Sequence, residues 1–134
     1  MAFEIKSSIK LHDTDAAGVV FFVSHFRIAH TAYEEFLQSI GCGMEQIIGG
    51  SDYLVLIAHA EADYLQPFHL GDNISISVRA TKLKRVSFEL TTDIKNSHGE
   101  IGATVRTVHV AIERNTGRKI DLPAPIRAGL ESIK

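Results

Sequence analysis

The sequence predicts an α+β fold in which an antiparallel sheet carries a helix on one face. Three observations lead there: several stretches alternate apolar and polar residues with a period of two, one stretch repeats apolar residues at intervals of three and four, and short turns largely join the alternating stretches. The 134 residues are about the size of one domain, and the span 1–134 is expected to fold as a single unit.

Residues Phe3 to Leu11 place Phe3, Ile5, Ile9 and Leu11 on alternate positions, a half-buried strand with a polar break at Ser7-Ser8. The loop from Asp13 to Gly18 follows, rich in residues that bond their own backbone. Phe22, Phe26, Ala29, Tyr33, Phe36, Leu37 and Ile40 then form one helical face, nearly five turns long, with Gly41 as the stop. A short helical turn is expected around Met44, Ile47 and Ile48. Tyr53 to Tyr64 opens with the continuous apolar run Tyr53-Leu54-Val55-Leu56-Ile57, the pattern of a strand covered on both faces, and Pro67 ends that stretch.

After the Gly71-Asp72 turn, Ile74, Ile76, Val78 and Ala80 alternate with polar residues, and Val86, Phe88, Leu90, Thr92 and Ile94 repeat the pattern. The last strand, Ile101 to Glu113, has odd-numbered apolar residues through Val105 and even-numbered ones from Val108. Such a change of phase predicts a bulge near Arg106-Thr107. Ile126 to Ile133 is expected to close the chain as a short helix. An open sheet of this size leaves an edge and some apolar surface, so pairing with a second copy is expected.

Composition narrows the class of function. Hydrophobic residues make up 45% and charged residues 22%, too apolar a balance for a disordered chain. Fourteen basic against sixteen acidic side chains leave a net charge of −2, so nucleic acid is not an expected partner and any anion site must be local. Cys42 is the single cysteine, which excludes an internal disulfide and fits the cytoplasm. Residues Met1 to Lys6 lack a signal-peptide hydrophobic region and no run nears the ~20 apolar residues of a membrane span, so membrane insertion is not expected.

The chemistry concentrates between His12 and Phe22. Asp13 and Thr14 read as loop braces, whereas Asp15 stands seven residues before Phe22, far to cap the helix, and beside the apolar run Val19 to Phe22 that would exclude water. A carboxylate so placed can act as base or nucleophile while helix amides polarise a carbonyl. His25 and His30 are five apart rather than four, so no metal site is expected.

The run Asp13-Thr14-Asp15-Ala16-Ala17-Gly18-Val19-Val20-Phe21-Phe22 resembles the signature of hotdog-fold acyl-CoA thioesterases of the 4-hydroxybenzoyl-CoA thioesterase class, whose fold is an antiparallel sheet wrapped around one long helix. The resemblance implies Asp15 as the catalytic carboxylate and the Phe22 backbone N–H as the group that polarises the thioester carbonyl. Within the class, His30-Thr31-Ala32-Tyr33-Glu34 and the stretch His59 to Pro67, continuing through His69-Leu70-Gly71-Asp72, are most similar to the 1,4-dihydroxy-2-naphthoyl-CoA thioesterases of menaquinone and phylloquinone synthesis. His30 and His59 would then line the substrate pocket. Lys84 and Arg85, with Lys82 nearby, match basic residues that hold the CoA phosphates.

The chain departs from a related short-acyl branch: Phe22 stands where that branch has a histidine and Leu11 where it has a tyrosine. Histidine-assisted catalysis at that point is therefore not expected. The implied enzyme is a homo-oligomer, a dimer or tetramer, that hydrolyses an acyl-CoA and needs no cofactor. Its rivals are a thioesterase for aliphatic acyl chains and a hotdog module that only binds an acyl ligand.

Overall fold

The computed structural model describes residues 1–134. Strands β1 (Phe3–Ser8), β2 (Tyr53–Tyr64), β3 (Asn73–Leu83), β4 (Ser87–Lys95) and β5 (Ile101–Glu113) form one sheet in the order β1-β3-β4-β5-β2. Every neighbouring pair is antiparallel. Helix α1 (Ser24–Ser39) lies across the sheet, α2 (Met44–Gly50) follows it, and α3 (Ala124–Ser132) packs against β3. No helix is long and apolar enough to cross a membrane.

Helix α1 buries Ala29, Ala32, Tyr33, Phe36 and Leu37, the three-and-four spacing seen in the sequence. Its alanines let the helix backbone approach the sheet, while Phe36 and Leu37 fill the core against β-strand residues such as Ile76, Val78 and Val105. Full burial of side chains of this size stabilises by about 1.5–3 kcal/mol each. Gly41 ends the helix with φ of 77°: its N–H donates to the Gln38 carbonyl at 3.1 Å and the Cys42 N–H to that of Leu37 at 2.9 Å. A left-handed residue is required there, and glycine takes it without a Cβ clash.

Three expectations are corrected. Helix α1 begins at Ser24, not Phe22, so it is 16 residues long and Phe22 lies in the turn before it, 59% exposed. Strand β2 is an edge strand with Leu56 and Ile57 uncovered, not a strand buried on both faces. Strand β5 has no bulge at Arg106-Thr107: it pairs regularly with β4 there, Thr91 opposite Arg106 and Leu90 opposite Thr107. The irregularity sits in the partner strand at Ala58, between Ile57 and His59.

The phase change in β5 has another cause. Odd-numbered residues face the interior along the whole strand, with Ala103, Val105, His109 and Ala111 all buried. The inward positions 107 and 109 are polar, and the outward positions Val108, Val110 and Ile112 are apolar and half-buried. His109 stacks on Phe88 with ring centroids 4.7 Å apart and 2° between planes, and lies 4.4 Å from the Tyr33 ring. Its Nε2 is 2.8 Å from Thr107 Oγ1. Burial, helped by the neighbouring His30, pushes its pKa down to about 3, so the imidazole is neutral in the fold.

Two outcomes follow from this packing. Gly102 of β5 lies against the Phe68 ring, which a Cβ would strike; Gly102→Ala should destabilise the protein by about 1–3 kcal/mol in urea unfolding. His109 is neutral when folded but binds a proton below about pH 6.5 when unfolded, so its contribution to stability is complete above that pH and is lost as pH falls toward 3. The loss approaches about 1.4 kcal/mol per pH unit. Unfolding curves from pH 7 to 4 should therefore converge for the native chain and His109→Gln, which lacks this term.

Candidate active site

Asp15 occupies the tip of a tight hairpin. Its N–H donates to the Val19 carbonyl at 2.9 Å, the Gly18 N–H donates back to the Asp15 carbonyl at 3.1 Å, and Thr14 bridges Val20. Gly18 takes φ of 79° to close the turn. The hairpin is stitched to the segment before β3, with Val20 N–H donating to Phe68 O at 2.9 Å and Val19 bridging His69. The Asp15 carboxylate is exposed; Oδ1 accepts the Ala17 N–H at 2.8 Å, and Oδ2 has no donor within the chain.

Asp13 does different work. It is buried, its Oδ2 accepts the Lys10 N–H at 2.8 Å, and Arg27 from the first turn of α1 reaches its Oδ1 at 3.4 Å. That carboxylate braces the loop against the helix.

The start of α1 has no side-chain cap, because Val23 stands at the N-cap position. Helix starts without a cap leave amide donors open. Here two consecutive peptide planes are held by their carbonyls: Phe21 O accepts the Ser24 N–H at 2.8 Å, and Phe22 O accepts both Tyr64 Oη at 2.8 Å and His25 Nδ1 at 3.0 Å. In trans peptides the opposing N–H groups, those of Phe22 and Val23, point the other way, and neither finds an acceptor in the chain. Since a carbonyl only accepts, His25 carries its proton on Nδ1. Burial lowers the His25 pKa, outweighing the carbonyls of Phe22 and Phe21, which favour the charged form. A pair of fixed amide donors at a helix start can stabilise a developing oxyanion.

Two hollows lie along α1, and Phe22 lines the first of them. One, about 300 Å³, is lined by Val19, Val20, Phe22, His25, Tyr64 and Leu65 among others. The other, about 470 Å³, lies beneath α1 against β2, β4 and β5, and its lining includes Phe26, His30, Tyr33, Ile57, Thr107 and His109.

Of the residues singled out in the sequence, Asp15 and Phe22 stand at one end of the sheet and His30 lines the larger hollow. His30 lies edge-on to Tyr33 and 3.7 Å from Glu34. His59 is exposed on the edge strand, 3.3 Å from Glu61, and lines neither hollow. Lys84 and Arg85 lie at the opposite end of β3 from the Asp15 hairpin, eleven strand residues or about 35 Å away. One chain does not bring them to the carboxylate. Arg85 pairs with Asp121 and Lys82 with Glu89, leaving Lys84 without an acidic partner. Sequence reasoning assigned no site role to Tyr64, Tyr33, His25 or His109; the phase change in 101–113 was a legible sign that polar side chains turn inward there.

The sequence model of the thioesterase-like superfamily matches residues 9–130. The 1,4-dihydroxy-2-naphthoyl-CoA hydrolase of Rippkaea orientalis is 35% identical over 95% of this chain and 94% of its own. That of Thermosynechococcus vestitus is 30% identical over 96% and 88%. Among solved structures, a 1,4-dihydroxy-2-naphthoyl-CoA thioesterase from Synechocystis superposes with a TM-score of 0.93 at 28% identity, covering 99% of this chain and 98% of the other. With its five-stranded antiparallel sheet, its helix on one face and this match over nearly its whole length, the chain belongs to the thioesterase-like superfamily, as a thioesterase of the hotdog fold.

Proposed function

We propose that the protein hydrolyses an aromatic acyl-CoA thioester, with 1,4-dihydroxy-2-naphthoyl-CoA as the substrate, as one domain spanning 1–134 that acts in the cytoplasm in menaquinone or phylloquinone synthesis. The observation that carries the chemistry is an exposed carboxylate with one oxygen free, Asp15 Oδ2, at the same end of the sheet as two open amides at the start of α1. The substrate reading rests on the relatives' activity over the full chain.

Asp15 either attacks the thioester carbon, giving an acyl-aspartyl anhydride that water then hydrolyses, or takes a proton from a water that attacks that carbon. In either attack the Phe22 and Val23 amides receive the oxyanion, its collapse breaks the C–S bond and releases CoA, and the water supplies the second oxygen of the product acid. Tyr64 and His25 hold the Phe22 carbonyl and so set the angle of the Val23 N–H. A thioester is already activated, so these groups suffice for the step.

The active form is a homo-oligomer in which two copies meet along β2. That strand presents an unpaired edge with Leu56 and Ile57 uncovered, and Tyr64 and Leu65 continue the apolar surface. In the antiparallel sheet, β2 ends beside the Asp15 hairpin and begins at the end where Lys84 and Arg85 lie. Antiparallel pairing of two β2 edges therefore turns the basic end of one copy toward the Asp15 end of the other. CoA phosphates held by Lys84 and Arg85 would then belong to a site completed by both copies, with His30 against the acyl group and His59 at the shared edge.

Asp15→Asn should keep the fold and lower kcat by about 10²–10⁴-fold; wild-type turnover in that variant would remove Asp15 from the mechanism and favour a module that only binds. Tyr64→Phe should lower kcat about 3–10-fold, with KM changed less than about twofold, as expected for a group acting through a peptide plane rather than on substrate. Across a panel of acyl-CoAs, preference for a long aliphatic chain would overturn the aromatic reading. Sedimentation should give at least twice the 14.7 kDa of one chain, and a monomer that retains full activity would sink the shared site.

A further inference from the structure

His25 brings to the Asp15 end of the sheet a basic nitrogen that attack on the thioester leaves unused. The residue is 5% exposed, and its Nδ1 donates to the Phe22 carbonyl at 3.0 Å. In the neutral imidazole the free lone pair is therefore on Nε2. The fully enclosed polar atoms that lack a partner are Tyr33 Oη and His109 Nδ1 alone, so Nε2, which also has no partner in the chain, keeps accessible surface. It opens into the hollow of about 300 Å³ that His25 lines. We infer that His25 Nε2 is a second catalytic group, the base that takes a proton from the water that hydrolyses an acyl-aspartyl anhydride formed on Asp15. The inference rests on the proposed thioester hydrolysis and decides between its two routes, since it requires Asp15 to be the nucleophile.

The walls of this hollow join the parts that such a step needs. Val19 and Val20 come from the Asp15 hairpin, Phe22 and His25 from the helix start, and Tyr64 from the end of β2. Across the hairpin the Asp15 N–H donates to the Val19 carbonyl at 2.9 Å, so these two residues stand opposite each other. Opposite residues of an antiparallel pair carry their side chains on one face, with Cβ atoms about 4.5–5.5 Å apart. The Asp15 carboxylate is thus on the Val19 side of the hairpin, at the rim of the hollow into which Nε2 opens. No acidic residue, lysine or arginine lines that hollow, and Tyr64 is the only other titratable group there. Its ring meets the imidazole edge-on at 4.7 Å, and Phe68 lies 6.3 Å away on the other packed element. Burial holds the His25 pKa below its ordinary 6.5, which keeps the ring neutral and able to accept a proton at pH 7.

One carboxylate cannot do both jobs. Once Asp15 has attacked and the C–S bond has broken, its oxygen is bonded to the acyl carbon and the group is no longer a base. Water then bonds to that acyl carbon, its proton passes to His25 Nε2, and the bond from the acyl carbon to the Asp15 oxygen breaks. The Asp15 carboxylate is restored and the product leaves as a carboxylate. The imidazolium gives its proton through solvent to the CoA thiolate released in the first step, so both groups end as they began. Throughout, Nδ1–H stays on the Phe22 carbonyl, the contact that fixes tautomer and ring direction. A histidine that served only to hold that carbonyl would need Nδ1 and nothing at Nε2.

His25→Asn separates the two roles, because asparagine offers an amide donor near the Nδ1 position and no basic nitrogen. Rapid-quench kinetics of the full chain with 1-hydroxy-2-naphthoyl-CoA, and with octanoyl-CoA in parallel, should follow CoA release and the mass of the protein. In His25→Asn one CoA per chain should leave in a burst at close to the native rate, and the chain should become heavier by the acyl group. Later turnovers should be slower than native by about 10²–10⁴-fold. Native turnover in His25→Asn would reduce His25 to a holder of the peptide and overturn the inference, as would slow turnover of the folded variant without a burst. Long-range ¹H–¹⁵N NMR signals of His25 in the unsubstituted chain test the same point without a variant: a proton on Nδ1 and none on Nε2 is expected at pH 7, and the opposite tautomer overturns the inference. Hydrolysis of octanoyl-CoA alone would remove the aromatic reading and leave His25 to be decided on that ester. A native chain that hydrolyses neither ester removes the proposed function and the inference together, whereas native hydrolysis with no burst in folded His25→Asn removes the inference alone.

Discussion

The seating of α1 on the sheet is the contact from which the chemistry and the cavity both take their geometry. Ala29 and Ala32 bring the helix backbone close, and Phe36 and Leu37 lock its second half into the core. Because a helix is stiff, fixing that half also fixes the height of its first turn above the sheet. The first turn is then tied down again, by Arg27 to Asp13 and by Tyr64 and His25 to the Phe22 carbonyl. Amides at the helix start are therefore held in fixed directions, with their carbonyl sides already used.

The same seating leaves a hollow between α1 and the sheet. Toward its start, α1 presents Phe26, Ala29, His30 and Tyr33 over the inward residues of β4 and β5, and there β5 offers Thr107 and His109 rather than aliphatic side chains. The interior thus changes character along one strand, tightly packed around Ala103 and Val105 and polar-tipped around His109. Aliphatic packing lies around Ala103 and Val105, and the buried imidazole of His109 lies further along the same strand.

Most of the fold was legible in the chain because alternation and helical spacing report directly on which face of an element is buried. Ile74, Ile76, Val78 and Ala80 are buried as their spacing requires, and Gly41 stops α1 where expected. The helix start was misplaced by two residues because Phe22 fits the apolar stripe; its side chain is instead exposed, at the surface where a second copy is proposed to sit. The apolar run of β2 misled in the same way, since uncovered edge residues and doubly covered ones look alike in composition. In β5 the pattern itself was read correctly and its cause was not: two inward polar residues imitate a bulge when only hydrophobicity is followed.

What the sequence determined by itself is the local chemistry: an Asp15 loop, a helix after it, strands in a readable order and a motif that resembles that of thioesterases. These follow from neighbours in the chain, whose spacing is fixed by covalent geometry. The tertiary structure alone decided that Tyr64, forty-two residues from Phe22, orients its peptide, and that Tyr33 and His109 meet around one cavity. It also decided that Lys84 and Arg85 lie at the far end of the sheet from Asp15. Such relations arise from strand order and from how a stiff helix crosses the sheet, and neither is written in the spacing of any single stretch.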